Sequence, residues 1–177
     1  MPYQDWIDIV EPTIQNKKNL AMLEFGLGEG TKYLLEKFKF VYSYELNDDA
    51  FPELIDWWHI SEKDYGHHKH WGREVNWYNE IGFVDYNPVL PIKLTDRIDE
   101  LFAKHSFEAV LVDGLGHCRG DVANYILNKH MPSYVIIHDT NYAYEQDGYN
   151  RIMLPEIYDT VKYTEGEGTH IFVRTNK

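Results

Sequence analysis

The sequence predicts an α/β domain organised on a mainly parallel sheet and closed by an antiparallel hairpin. Three observations carry this. Apolar runs of strand length alternate with segments of helical periodicity, the pattern of βαβ units. Two of those runs, Ala109-Val110-Leu111-Val112 and Tyr134-Val135-Ile136-Ile137, contain no charged break, as expected of parallel strands covered on both faces. Near the end of the chain, two further strand-like segments flank Glu165-Gly166-Glu167-Gly168, a composition that suits a hairpin turn.

The elements follow in order. Trp6, Ile7, Ile9 and Val10 anchor a short leading helix interrupted at Pro12. Leu20 to Phe25 is an apolar run that ends in Gly26-Leu27-Gly28-Glu29-Gly30, which marks a buried strand followed by a turn. Thr31 to Phe38 carries Leu34, Leu35 and Phe38 at helical spacing, with Thr31 as a cap residue. Phe40 to Leu46 is a second strand, and Phe51 to His59 a helix with Pro52 in its first turn. Periodicity is lost over Ser61 to Asn87, apart from extended pieces at Val75 to Tyr78 and Phe83 to Tyr86. Thr95 to Lys104 and Asp121 to Lys129 are helices, with strands at Ala109 to Gly114 and Tyr134 to Asp139. A polar, tyrosine-rich connection over 140–156 leads into a short helix near Ile152 to Tyr158. Asp159 to Tyr163 and His170 to Arg174 form the closing hairpin.

At 177 residues the chain is about one domain long. It is read as a single domain over 1–177, with 61–94 a variable lid or insertion. With 17 Lys and Arg against 29 Asp and Glu, the net charge is -12, which disfavours a nucleic-acid partner because phosphate contacts need clustered cations. Apolar residues at 44% can offset chain entropy, so disorder is excluded. No run approaches about 18 apolar residues, and no membrane association is expected. The beginning of the chain lacks a signal-peptide pattern. The single Cys118 excludes an internal disulfide and an all-cysteine metal site. A reducing, cytoplasmic compartment fits this usage.

The strongest local signal is Glu24-Phe25-Gly26-Leu27-Gly28-Glu29-Gly30, set between a strand and a helix. Glycines there permit a tight turn and close approach of a ligand to the backbone, outside the C-terminal ends of the strands. The spacing is G-x-G-x-G rather than the dinucleotide G-x-G-x-x-G. Glu24 would repel a pyrophosphate but suits a cationic amino-acid group. Glu45, at the end of the next strand, suits the two hydroxyls of a ribose. A nucleoside-containing ligand without a pyrophosphate is the functional reading. The plain alternative is a turn that closes a βα unit.

Glu24 to Gly30 resembles the first motif of class I S-adenosylmethionine-dependent methyltransferases. Glu45 is similar to the acid that holds the ribose in that family, and Asp113 to the acid that ends its fourth strand. The resemblance covers roughly residues 20 to 175. It implies a Rossmann-like, doubly wound, seven-stranded sheet, with S-adenosylmethionine held by Glu24, Gly26, Gly28, Gly30, Glu45 and Asp113.

A second constellation combines Asp113-Gly114-Leu115-Gly116-His117 with His138-Asp139-Thr140-Asn141. Two carboxylates at adjacent strand ends can hold a hard divalent cation, which lowers the pKa of a bound hydroxyl. The arrangement resembles small O-methyltransferases of the catechol type and the sugar type. For the catechol type it implies a divalent cation such as Mg²⁺ on Asp113 and Asp139, with Asn141 as the nearby amide. That family places Asn directly after the second Asp, whereas Thr140 intervenes here. A metal-free acceptor site using the same residues, and purely structural roles, stand beside that reading.

Asp113, His117, His138 and Asp139 are the candidate catalytic groups, since His can take a proton from a hydroxyl near neutral pH. A packed core histidine at 138 and a surface histidine at 117 are the plain alternatives. Arg119 either binds an acidic substrate or pairs with Asp121. His67, His68 and His70 are transition-metal ligands or part of a lid. Tyr142, Tyr144 and Tyr149 line an acceptor pocket, or form a surface loop or homodimer contact.

The resulting expectation is methyl transfer from S-adenosylmethionine to a hydroxyl of a small polar or ring-containing acceptor. Its rivals are an NAD- or nucleotide-sugar-dependent enzyme on the same fold and a non-catalytic interaction protein derived from a methyltransferase.

Overall fold

The structure is a computed structural model that describes residues 4–26, 29–44, 68–70, 92–114, 118–141 and 147–175. In chain order its elements are α1 (Gln4–Thr13), β1 (Ala21–Phe25), α2 (Glu29–Lys37), β2 (Phe40–Tyr44), β3 (His68–His70), α3 (Ile92–Lys104), β4 (Ala109–Val112), α4 (Arg119–Lys129), β5 (Tyr134–His138), β6 (Tyr158–Tyr163) and β7 (Thr169–Arg174). They assemble one seven-stranded sheet in the order β3-β2-β1-β4-β5-β7-β6. The first five strands in that order run parallel, and β7 joins antiparallel to both β5 and β6. This is the mainly parallel sheet with a C-terminal hairpin that the sequence implied.

Both faces of the sheet are covered, which explains the unbroken apolar strands. Successive side chains alternate between faces. Leu23, Phe25, Val110 and Val112 pack with Leu94, Ile98 and Leu101 of α3 and Val122 and Ile126 of α4. Met22, Leu111, Ile136 and Ile171 pack on the other side with Trp6 and Val10 of α1 and Leu34 and Leu35 of α2. The chain order leaves β1 for β2 on one side and enters β4 on the other. The C-terminal ends of β1 and β4 therefore form the switch point at which ligands bind in sheets of this kind.

Several boundaries differ from the sequence reading. α1 runs through Pro12 and ends one residue later; the proline cannot donate to the carbonyl four residues back and crowds it, so the helix goes no further. α2 starts at Glu29, so Thr31 lies inside the helix and is not its cap. The third strand falls at His68–His70, beside β2, within the stretch expected to be a lid. The helix expected over Ile152 to Tyr158 does not form. A 3-10 turn at Tyr149–Arg151 is followed by extended chain into Pro155, which disfavours helical geometry in the residue before it. Tyr158 opens β6 and donates its buried hydroxyl to the Pro132 carbonyl at 2.6 Å. The helix expected over Phe51 to His59, the pieces at Val75 to Tyr78 and Phe83 to Tyr86, and nearly all of the 61–94 insertion lie outside the described residues.

Candidate functional site

The site begins where β1 ends. Glu24 is 1% exposed on the face under α2. A lone carboxylate so placed would be costly, and hydrogen bonds to its charged form offset that cost. Thr31 Oγ1 donates to its Oε1 at 2.7 Å and Ser43 Oγ to its Oε2 at 2.5 Å. Glu24 thus ties the end of β1 to the first turn of α2 and to the neighbouring β2. This places it as a brace beneath the glycine turn.

Gly26 has φ 98°, a left-handed conformation that favours glycine. A Cβ there would lie 2.8 Å from the Gly114 Cα, so the two strand ends touch through bare backbone. The Phe25 carbonyl accepts from the N–H of Asp113 at 2.9 Å and of Gly114 at 2.7 Å, sealing the floor of the switch-point cleft. Gly30 serves a different purpose. A Cβ on it would be driven into the Trp6 indole, so this glycine admits α1 rather than a ligand.

A second cluster lies at the adjacent ends of β4 and β5. His138 Nδ1 lies 2.9 Å from Asp113 Oδ1 and 3.4 Å from Asp139 Oδ1, and its Nε2 lies 3.6 Å from Glu167 Oε2. The His138 side chain is 5% exposed, whereas that of Asp113 is 32% exposed. The carboxylates of Asp113, Asp139 and Glu167 are therefore the members that solvent or a substrate can reach, with the imidazole buried among them. Burial opposes protonation of His138, but Asp113, Asp139 and Glu167 outweigh it and raise its pKa above the ordinary histidine value.

Arg119, the first residue of α4, spans the cluster. It pairs through Nη1 with Asp139, donates through Nε to the Gly114 carbonyl at 2.9 Å, and reaches the His138 carbonyl at 3.5 Å. The Tyr149 hydroxyl donates to the same His138 carbonyl at 3.0 Å. Asp139 has φ 60°, an uncommon conformation that Asp tolerates better than most residues. The next two residues fix that turn: Thr140 N–H donates to the Gly168 carbonyl at 3.2 Å and Asn141 N–H to the Glu167 carbonyl at 3.0 Å. The Asn141 amide donates to the carbonyls of Thr164 and Gly166 at 2.9 and 3.2 Å. The β6–β7 turn is thereby latched to the end of β5, and Glu167 is delivered to His138.

The structure brings together Asp113, Arg119, His138 and Asp139 from the sequence-predicted set, and sets Glu24, Gly26 and Gly30 at the neighbouring turn. Gly28, Glu45, His117, Tyr142 and Tyr144 lie outside the described residues, as does His67; of His68 and His70 only the strand is described. Two expectations are corrected. Asn141 is not beside the carboxylates, because its amide is used on the hairpin turn. Arg119 pairs with Asp139, while Asp121 is taken by Arg151 at 2.6 and 3.0 Å. Of the two roles open to Glu24, seating an amino-acid group or ordering the loop, its bonds to the Thr31 and Ser43 hydroxyls fit the second. The sequence did not mark Thr31, Ser43 or Glu167 as site residues, whereas Tyr149, expected at an acceptor pocket or surface loop, holds the His138 carbonyl. Of the three, Glu167 lies in the conspicuous Glu-Gly-Glu-Gly turn.

Among the described residues, one group places three possible metal-ligand atoms within 4.8 Å of one another: Asp113, His138 and Asp139. A hard cation such as Mg²⁺ takes oxygen ligands in octahedral array. Here the third donor is an imidazole nitrogen hydrogen-bonded to Asp113, and Asp139 is paired with a guanidinium. These residues do not fit the divalent cation that the catechol-type resemblance implies.

With this geometry in view, the chain is similar in fold to solved methyltransferases. An rRNA methylase of Streptococcus thermophilus matches with TM-score 0.63 at 11% identity, over 99% of this chain and 98% of that one. An SAH-bound methyltransferase of Podospora anserina matches with TM-score 0.57 at 12% identity, over 88% of this chain and 72% of that one. A Staphylococcus aureus protein provisionally described as a caffeoyl-CoA O-methyltransferase matches with TM-score 0.57 at 12% identity, over 96% and 82%. No family model matches the chain, and no curated protein matches it. At these identities the likeness is one of fold: the chain has the architecture of class I methyltransferases.

Proposed function

We propose that the chain is an S-adenosylmethionine-dependent methyltransferase acting on a hydroxyl of a small polar or ring-containing acceptor. The observation that carries this reading is the bare-backbone contact of Gly26 with Gly114 at the switch point, beside the acid–imidazole pair of Asp113 and His138. Any side chain at position 26 would force the ends of β1 and β4 apart and so disturb the floor proposed for the nucleoside. When bound, S-adenosylmethionine supplies an electrophilic methyl group. Glu24 holds the turn and helix α2 that shape its seat. Glu45 binds the ribose. The SAH-bound neighbour of the same fold supports this choice of cofactor.

In this reading Asp113 accepts the proton of the acceptor hydroxyl at its exposed carboxylate. His138 Nδ1 steadies that carboxylate from behind, and Arg119 fixes Asp139 beside it. Alignment of acceptor and methyl donor provides much of the rate, and the base provides a further factor of about 10²–10⁴. Neighbours named for rRNA and for caffeoyl-CoA share this architecture, so the fold leaves the acceptor to side chains and loops. Three carboxylates at the mouth of the cluster favour an uncharged acceptor over an anionic one.

The test is label transfer. The chain is incubated with methyl-labelled S-adenosylmethionine and panels of phenols, sugars and amines. The proposal expects label on a hydroxyl, lowered about 10²-fold or more in Asp113→Asn. Label on an amine alone, or a rate untouched by Asp113→Asn, contradicts it.

A further inference from the structure

We infer that the Arg119 guanidinium is the resident cation of this centre, in the place that the catechol-type resemblance gives to a divalent metal, and that the centre works without one. The inference rests on the proposed methyl-transfer reading only for the purpose of the cation. Its seat is argued from the residues themselves.

In the catechol-type reading a metal would be held by the carboxylates of Asp113 and Asp139. Arg119 already occupies the second of these and binds the backbone next to the first. Its Nε bonds the carbonyl of Gly114, the residue after Asp113, and its Nη1 pairs with Asp139 and reaches the carbonyl of His138. One planar group therefore ties both strand ends, which suits the fork geometry of a guanidinium. Arg119 also stands in the first turn of α4, where the helix dipole disfavours a positive charge. That local cost is offset only because the carboxylate and carbonyls converge on it.

The seat is built to hold this residue. Gly120 lies so close to Gly148 and Tyr149 that a Cβ would overlap their backbone. Its N–H donates to the Asp147 carbonyl at 2.6 Å. The start of α4 is thus pinned to the 147–149 turn, and Tyr149 in turn holds the His138 carbonyl. Burial opposes the charge on Arg119, but Tyr149 and Asp139 outweigh it and keep the guanidinium protonated. A divalent ion would have to displace the Arg119 guanidinium from Asp139 to enter. Asn141, the amide that might have completed an oxygen set, is turned away onto the hairpin.

The test uses Mn²⁺ as the probe, followed by the paramagnetic resonance signal of the free ion, on the chelator-treated 177-residue chain. The expected result is no stoichiometric Mn²⁺ uptake by the wild type, and uptake of one ion per chain by Arg119→Gln that Asp139→Asn then abolishes in the double variant. Uptake of one Mn²⁺ by the wild type, lost in Asp139→Asn, overturns the inference. Should Arg119→Gln fail to fold by circular dichroism, the wild-type and Asp139→Asn arms decide alone. S-adenosylmethionine binding is measured in parallel by calorimetry with chelator present. Its absence defeats the methyl-transfer reading and leaves the Mn²⁺ result standing on its own.

Discussion

Gly26→Ala isolates the contact on which the site is built. Two costs follow from the structure. The φ of 98° is foreign to an L side chain, a strain of about 1–3 kcal/mol. The added methyl would lie 2.8 Å from the Gly114 Cα and on the chain beside it. That backbone cannot retreat without losing the Asp113 and Gly114 bonds to the Phe25 carbonyl, so overpacking adds about 1–3 kcal/mol. Together these give a destabilisation of about 2–6 kcal/mol, or a Tm lowered by roughly 5–16 °C in a chain of this size. Gly114→Ala meets the same contact from the other side, with Gly26 Cα 2.8 Å from its Cβ. The two substitutions should therefore be non-additive in a double-mutant cycle. Thermal melts by circular dichroism read the stability, and calorimetry with S-adenosylmethionine reads the seat. A Gly26→Ala protein within about 0.5 kcal/mol of wild type, the range of an indifferent surface change, refutes the reasoning.

Two other outcomes are expected. Trp6 is fully buried and fills the space over Gly30, so Trp6→Ala should cost about 3–5 kcal/mol by chemical denaturation, and Gly30→Ala should cost less in the Trp6→Ala background than in the wild type. Burial, with Lys162 adding to it, pushes the His170 pKa down to about 4, so the folded chain binds fewer protons than the unfolded one between roughly pH 6.5 and 4. Stability from this ring is present above pH 6.5 and is lost as the pH falls through that window. The loss would be about 3 kcal/mol for a fully buried ring and about 1–2 kcal/mol for this partly exposed one. Denaturation midpoints at pH 7 and pH 4.5 should therefore diverge more for wild type than for His170→Gln, and equal divergence would dismiss the account.

The central strands were legible because burial on both faces writes an unbroken apolar run, as at Val110 to Val112 and Val135 to Ile137. The glycine turn was legible because close backbone contact forbids side chains. Partnerships were not. Whether Arg119 pairs with Asp121 or with Asp139 depends on how α4 enters beside β5, and the chain sequence carries no signal of that angle. Glu167 reaches His138 only through the register in which Thr169 faces His138, a pairing between segments about thirty residues apart. The same hairpin uses the amide of Asn141 as a latch, where the resemblance to catechol-type enzymes implied a ligand. The failed helix over Ile152 to Tyr158 shows local apolar spacing yielding to Pro155 and to the inward turn of Tyr158.

The turn at Gly26 is the seat proposed for the cofactor. Calorimetric titration of the wild-type chain with S-adenosylmethionine tests that most directly. The predicted result is saturable binding at one site per chain, displaced by S-adenosylhomocysteine and indifferent to NAD. Absence of heat and of thermal stabilisation at saturating S-adenosylmethionine, or binding of NAD in its place, would contradict it.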